Sequence, residues 1–253
     1  MEPSWLAGEH GAVDFTVDGS VRRVTGALWL PDDVHSETPM VLLGHGASGD
    51  RYQTPIPYLA HRFVQEAGFV ALSVDGPVHG LRKVEPGGRE AYFKEAQRDG
   101  FVDDMVADWR DALSAMCQSH SVGDGPLGYF GLSMGTIFGV PVLADGLGKA
   151  FTAACIGLCG TTGAGAMLGE RLATDAAKIT LPVLFLMQLE DELFPRDGYL
   201  SLFDELASRD KRLHANPGLH PEVPAEEIDH TFVFLRTHLE GTSTRRIVNP
   251  LAE

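Results

Sequence analysis

Six short apolar runs, each followed by a stretch in which apolar residues recur at helical spacing, set the rhythm of this chain. The runs cover residues 40–43, 69–74, 127–130, 151–158, 183–189 and 212–215. The helical patterns fall at 58–67, 101–117, 134–143, 165–177, 199–208 and 225–239. A strand that returns parallel to its predecessor needs a long crossover, which a helix supplies. Six such repeats predict an α/β architecture, a mostly parallel sheet with helices on both faces. Two earlier segments, 12–17 and 21–30, are separated by Asp18-Gly19, a hairpin signal that predicts an opening antiparallel pair. No repeat, low-complexity tract or linker divides the chain, and 253 residues suit a single domain over 1–253. Ligands in such sheets bind beyond the C-terminal strand ends, so chemistry is sought in the residues that follow each run.

Charge narrows the partners. Lys plus Arg number 20 against 35 Asp plus Glu, a formal net charge of −15, and no basic run provides the footprint that phosphate backbones or anionic lipid require. Neither nucleic acid nor membrane is an expected partner. The first residues, Met1-Glu2-Pro3-Ser4-Trp5-Leu6, lack the cationic and apolar regions of an export signal. The longest apolar runs, 151–159 and 181–189, are far below the roughly 20 residues of a membrane helix. Cys117, Cys155 and Cys159 are odd in number. If the last two share a strand they stand about 13 Å apart, too far for a disulfide. Free thiols fit a reducing cytoplasm, and with no second Cys or His pair nearby no metal is expected.

The chemistry-bearing residues follow the runs. After 127–130 comes Gly131-Leu132-Ser133-Met134-Gly135 and then a helix pattern, a G-x-S-x-G sequence in a strand-turn-helix setting. Ser133 there sits on a sharp turn, with its hydroxyl above the sheet edge and a helix N-terminus beneath developing negative charge. An idle helix-capping serine is the alternative. A serine nucleophile needs a base, and the base needs an orienting acid. Asp191, within Glu190-Asp191-Glu192 beyond the run 183–189, is the candidate acid, its two neighbours pointing elsewhere. His220, in Asn216-Pro217-Gly218-Leu219-His220-Pro221 after the last run, is the candidate base, ahead of His230 and His238 inside the final helix pattern. An oxyanion hole is assigned to the backbone N–H groups of Met134 and of Ala47, in Gly44-His45-Gly46-Ala47-Ser48-Gly49-Asp50. His45 reads as structural, and Ser48 as a lesser donor or pocket wall.

These residues, in the order serine, acid, histidine, resemble the α/β-hydrolase superfamily over nearly the whole chain. The resemblance implies an eight-stranded, mostly parallel sheet that opens on the antiparallel pair. Small size and Asp75-Gly76-Pro77-Val78-His79-Gly80 resemble the small serine esterase and dienelactone hydrolase-like branch. Dienelactone hydrolases proper carry cysteine where Ser133 stands, so their substrate is not carried over; haloalkane dehalogenases need aspartate there. Gln188 also departs from a glycine that relatives often place three residues before the acid. Where many relatives have a large helical cap, only residues 160–180 are available, which implies a small or absent cap, with 79–100 a second element bordering the site. Arg82, Lys83 and Arg89 are candidates for meeting an acidic substrate, or a solvated loop. Phe93, Phe101, Met134, Leu193 and Phe194 are candidates for an acyl pocket. The expected activity is a serine carboxylesterase acting on small, short-chain esters, without metal or organic cofactor. The alternatives are an acyltransferase or thioesterase with the same residues and a non-catalytic binding module; oligomeric state stays open.

Overall fold

Every strand that follows the opening hairpin is buried on both faces or at the sheet edge, which is why these runs read as continuous rather than alternating apolar sequence. The structure, a computed structural model, describes residues 2–243 except Pro86, Ser121 and the side chain of Arg89. Arg89, a candidate for meeting an acidic substrate, therefore has its side chain outside the described residues.

In chain order the strands are β1 (Ser4–Ala7), β2 (Val13–Asp18), β3 (Arg23–Trp29), β4 (Met40–Gly44), β5 (Val70–Val74), β6 (Leu127–Leu132), β7 (Phe151–Gly157), β8 (Val183–Gln188) and β9 (Lys211–Asn216). They form one sheet in the order β1-β2-β3-β5-β4-β6-β7-β8-β9. The strands from β4 to β9 run parallel, and β1 to β3 pair antiparallel. The sheet has nine strands where eight were expected. The extra one, β1, is an edge strand whose four residues are all exposed, so no burial alternation marks it in the sequence. The β2–β3 turn spans residues 19–22, with Gly19 N–H donating to Arg22 C=O at 3.1 Å; the second strand starts two residues later than expected.

The helices are α1 (Ile56–Ala67), α2 (Gly88–Ala96), α3 (Phe101–His120), α4 (Met134–Asp145), α5 (Gly169–Ala176), α6 (Arg196–Glu205) and α7 (Ala225–Leu239). Side chains alternate across a strand, so each central strand feeds two cores. Leu42, Leu72, Tyr129, Ile156 and Phe185 pack with Trp109, Phe138, Leu172 and Leu202 of α3 to α6. Val41, Leu43, Phe130, Leu184 and Leu186 face the other way, onto Leu59 and Phe63 of α1 and Phe232 and Leu235 of α7. Each fully buried side chain of this kind contributes about 1.5–3 kcal/mol. Between β7 and β8 lie only a 3₁₀ turn, Gly163–Leu168, and α5, the small cap that residues 160–180 allowed. Among the described residues no helix is long and apolar enough to cross a membrane.

A buried charge network fixes the two loops that follow β4 and β5. Arg51 donates to Asp14 through Nε at 2.9 Å and Nη2 at 2.7 Å, and its Nη1 lies 3.2 and 3.3 Å from the two Asp75 oxygens. Asp75 has no exposed surface; it also accepts from Thr25 Oγ1 at 2.6 Å and Leu81 N–H at 3.1 Å. Removing the guanidinium leaves two buried carboxylates without a cation, which costs about 3–5 kcal/mol. Arg51→Met is therefore expected to lower the unfolding free energy by that amount in urea titration, and a loss below about 1 kcal/mol would show these charges to be solvated.

Candidate active site

The Ser133 turn is built by the crossing of β6 into α4. Ser133 holds φ 57° and ψ −118°, a left-handed strained conformation for a residue with a side chain. Its N–H donates to Gly157 C=O at 2.9 Å, tying the turn to the neighbouring strand. The flanking glycines are sterically required: a methyl on Gly135 would stand 2.6 Å from the Gly44 carbonyl oxygen, and one on Gly131 2.7 Å from that of Gly135.

Ser133 Oγ lies 2.9 Å from His220 Nε2, and His220 Nδ1 lies 2.7 Å from Asp191 Oδ2. The three residues selected from the sequence thus converge from three strand ends. An ionised carboxylate only accepts, so Nδ1 carries the proton and Nε2 presents its lone pair to the serine hydroxyl. Asp191 Oδ1 takes N–H bonds from Leu193 at 2.7 Å and Phe194 at 3.0 Å, and Oδ2 also accepts from the Tyr199 hydroxyl. Burial works to raise the Asp191 pKa, but the bonds from His220, Tyr199, Phe194 and Leu193 outweigh it and hold the carboxyl below its ordinary value.

Contrary to the expectation that they point elsewhere, the acidic neighbours of Asp191 hold the loop that carries His220. Glu190 Oε2 accepts the Gly218 N–H, and Glu192 Oε2 accepts the His220 N–H at 2.9 Å. Gln188, the departure from glycine, is buried and clamps the same loop, its Nε2 donating to Glu222 C=O at 2.7 Å and Pro217 C=O at 3.3 Å. His230 and His238 stay on α7, the first beside Glu227 and the second against Phe234.

Both N–H groups assigned to the oxyanion hole belong to residues lining the cavity at Ser133, and among the described residues neither has a hydrogen-bond acceptor. The Ala47 loop is braced from three directions. Gln53 accepts Gly46 N–H at 2.8 Å and donates to Ser48 Oγ at 2.8 Å. His79 Nε2–H donates to Ala47 C=O at 3.1 Å. His45 accepts Gly76 N–H at Nε2, 2.8 Å, and donates from Nδ1 to Gly46 C=O, 2.7 Å, so its tautomer is set by backbone on both sides.

A cavity of about 310 Å³ opens over these groups, lined by Phe93, Met134, Ile137, Leu158, Leu193 and Phe194 among others. Phe101 does not reach it; it is buried against Tyr92 and Phe138. Arg82 does not face it either: its side chain is buried, paired with Asp108 at 2.6 Å and donating to Gly76 C=O at 3.1 Å. Lys83 is not among the lining residues, and none of these carries a formal charge apart from the titratable histidines.

Neither family models nor curated proteins match this chain. Solved structures do. A cold-adapted esterase from an Arctic intertidal metagenomic library, in its polyethylene-glycol-bound form, is 32% identical, with 93% of this chain and 99% of that one covered and a TM-score of 0.77. The chain belongs to the α/β-hydrolase esterases. An acetyl xylan esterase from Paenibacillus sp. R4 shares the fold at 16% identity, 94% and 88% coverage and TM-score 0.72. A dienelactone hydrolase from Anabaena variabilis does so at 16% identity, 95% and 99% coverage and TM-score 0.61.

Sequence reasoning about this esterase passed over Tyr199, Gln53 and the bracing role of His79, and read Gln188 only as a departure from a glycine. Gln53 and Tyr199 act on residues five to eight positions away, while His79 and Gln188 act on other loops, and no residue pattern marks these pairings. His45 offers a direct test of the bracing. Complete burial, with His79 beside it, pushes its pKa from 6.5 down to about 3. Between those values the unfolded chain binds the proton and the folded chain does not, so stability falls as pH drops through this window. In His45→Gln the slope of unfolding free energy between about pH 4 and 5.5 is expected to shrink by about one proton, or about 1.4 kcal/mol per pH unit. An unchanged slope would mean that His45 titrates alike in both states.

Proposed function

We propose that this esterase is a serine carboxylesterase that hydrolyses small, short-chain esters through an acyl-enzyme on Ser133. The observation that carries the reading is the continuous hydrogen-bonded line from Ser133 Oγ through His220 to Asp191 beside an apolar cavity. As Oγ attacks the ester carbonyl carbon, its proton passes to His220 Nε2 and the carbonyl π pair moves onto oxygen. The unpartnered N–H groups of Met134 and Ala47 receive that oxyanion, an interaction made fully only in the transition state. Collapse of the intermediate breaks the ester C–O bond, and the imidazolium returns its proton to the leaving alcohol. Water, deprotonated by the same Nε2, then attacks the acyl-enzyme and releases the acid. Asp191 stays ionised throughout and stabilises the imidazolium.

Cavity size and lining support the substrate class. About 310 Å³ is at the lower end of small-ligand pockets, and an apolar wall without fixed charge favours neutral esters of short acids. A reducing, cytoplasmic setting is supported by the three unpaired thiols of Cys117, Cys155 and Cys159. Burial pushes the Cys155 thiol up to about 12, which keeps it protonated and inert.

Hydrolysis of p-nitrophenyl esters from acetate to palmitate, with wild type beside Ser133→Ala, tests both parts. Expected are a maximum at short chains and a loss of at least about 10³-fold in kcat for the variant. Wild-type rates in Ser133→Ala would overturn the nucleophile, and a maximum at long chains would overturn the short-chain reading. Transfer of the acyl group to added alcohol in preference to water would reassign the enzyme as an acyltransferase.

A further inference from the structure

The loop that carries His220 leaves β9 and enters α7, and its two ends meet at a second cluster of side chains. His214 lies on β9, while Glu227 and His230 lie near the start of α7, three residues apart and so on one helix face. Glu227 has a buried side chain, 8% exposed. Its ion-pair partners among the described residues are two imidazoles, His214 Nδ1 at 2.8 Å from Oε2 and His230 Nδ1 at 3.5 Å from Oε1. No lysine or arginine pairs with it there. A carboxylate taken out of water without a permanent cation is costly, and its imidazole contacts are one hydrogen bond, with His214 Nδ1, and the longer approach of His230.

The geometry offers a better partner. One ligand atom from each of the three residues lies within 4.8 Å of the others. Tetrahedral zinc, with bonds near 2.0–2.2 Å, spaces its ligand atoms by roughly 3.3–3.5 Å, between the closest and the widest separations seen here. The imidazole planes stand at 87° with centroids 5.8 Å apart, so the rings do not stack and their Nδ1 atoms both address the carboxylate. His230 is 56% exposed, which gives an ion a path from solvent and its ring room to turn inward. Two histidines and one carboxylate suit zinc, with one position left for water.

We propose that His214, Glu227 and His230 form a zinc site that staples the two ends of the His220 loop. The site uses none of the residues assigned to ester cleavage, although Ile228, the neighbour of Glu227, lines the substrate cavity. Its role is to stabilise the fold around the base, since an ion that binds the folded chain alone raises its stability by mass action.

Zinc chloride added to the untagged, chelator-stripped chain tests this by calorimetric titration and thermal unfolding. Expected are one zinc per chain and a Tm increase of about 5 °C when zinc is at a hundredfold excess over Kd. His230→Ala removes an exposed side chain, so it folds, and it is expected to weaken binding at least tenfold and abolish the Tm shift. Ser133→Ala is expected to bind zinc as wild type does, which separates this site from the fate of the esterase mechanism. Absence of zinc binding by the wild type, equal affinity in His230→Ala, or loss of binding in Ser133→Ala would each overturn the proposal. Cobalt in place of zinc adds a spectroscopic check: tetrahedral visible absorption in wild type that is lost in His230→Ala supports the site, and identical spectra overturn it.

Discussion

Four donors converge on the Asp191 carboxylate: two backbone N–H groups of its own turn, the Tyr199 hydroxyl and His220 Nδ1. The rest of the site depends on this arrangement. With Oδ1 occupied by backbone, the remaining oxygen is aimed at the imidazole, and because an ionised carboxylate accepts only, the proton must sit on Nδ1. The ring then has one orientation and one tautomer, with its basic nitrogen toward Ser133. Glu190 and Glu192 extend the same logic to the backbone: three consecutive carboxylates would repel one another in an ordinary turn, but here each is met by donors from the residue 218–220 segment. A run of acids that reads as solvated surface is in effect a clamp, completed from the strand side by Gln188.

On the opposite wall, the role proposed for Ala47 and Met134 needs N–H groups that stay unpaired, when a flexible loop would turn them toward solvent or its own carbonyls. Rigidity comes from buried polar contacts that leave Ala47 N–H out. Gln53 takes the Gly46 N–H, His79 takes the Ala47 carbonyl, and neutral His45 bridges Gly46 and Gly76. Beneath them Arg51 links Asp14 of β2 to Asp75 at the end of β5. Such preorganisation means that little reorientation is needed when charge develops. It is also why burial of His45 matters: an imidazolium there would have to donate to an N–H that already donates to it.

The parallel strands and their helices were legible because burial leaves a periodic mark, and the Ser133 turn because three residue types are sterically imposed on five positions. Asp191 and His220, which the structure brings together with Ser133, were legible through their place after strand runs. What escaped was aperiodic. β1 is an exposed edge with no alternation. Phe101 and Arg82 were misplaced because a side chain's identity does not say which way its helix or turn faces: the first enters the core and the second a buried ion pair with Asp108. Tyr199 and Gln53 reach partners eight and seven residues away, and Gln188 one 34 residues away; no residue pattern marks these pairings before the loops are folded.

The placement of charge also bears on what leaves the site. The chain carries a net charge of −15, Asp191, Glu190 and Glu192 stand together after β8, and Arg82, a candidate for meeting an acidic group, is buried in an ion pair with Asp108. A neutral ester loses little on entering an uncharged apolar cavity and gains its burial. Cleavage turns it into an acid that ionises at neutral pH, and that product meets a cavity lined by no Lys or Arg among the described residues, in a chain of net negative charge. On the reaction proposed for this cavity, the two backbone N–H groups assigned to the oxyanion are then, among the described residues, the site's only fixed donors to the product acid, and no side-chain cation adds to its retention.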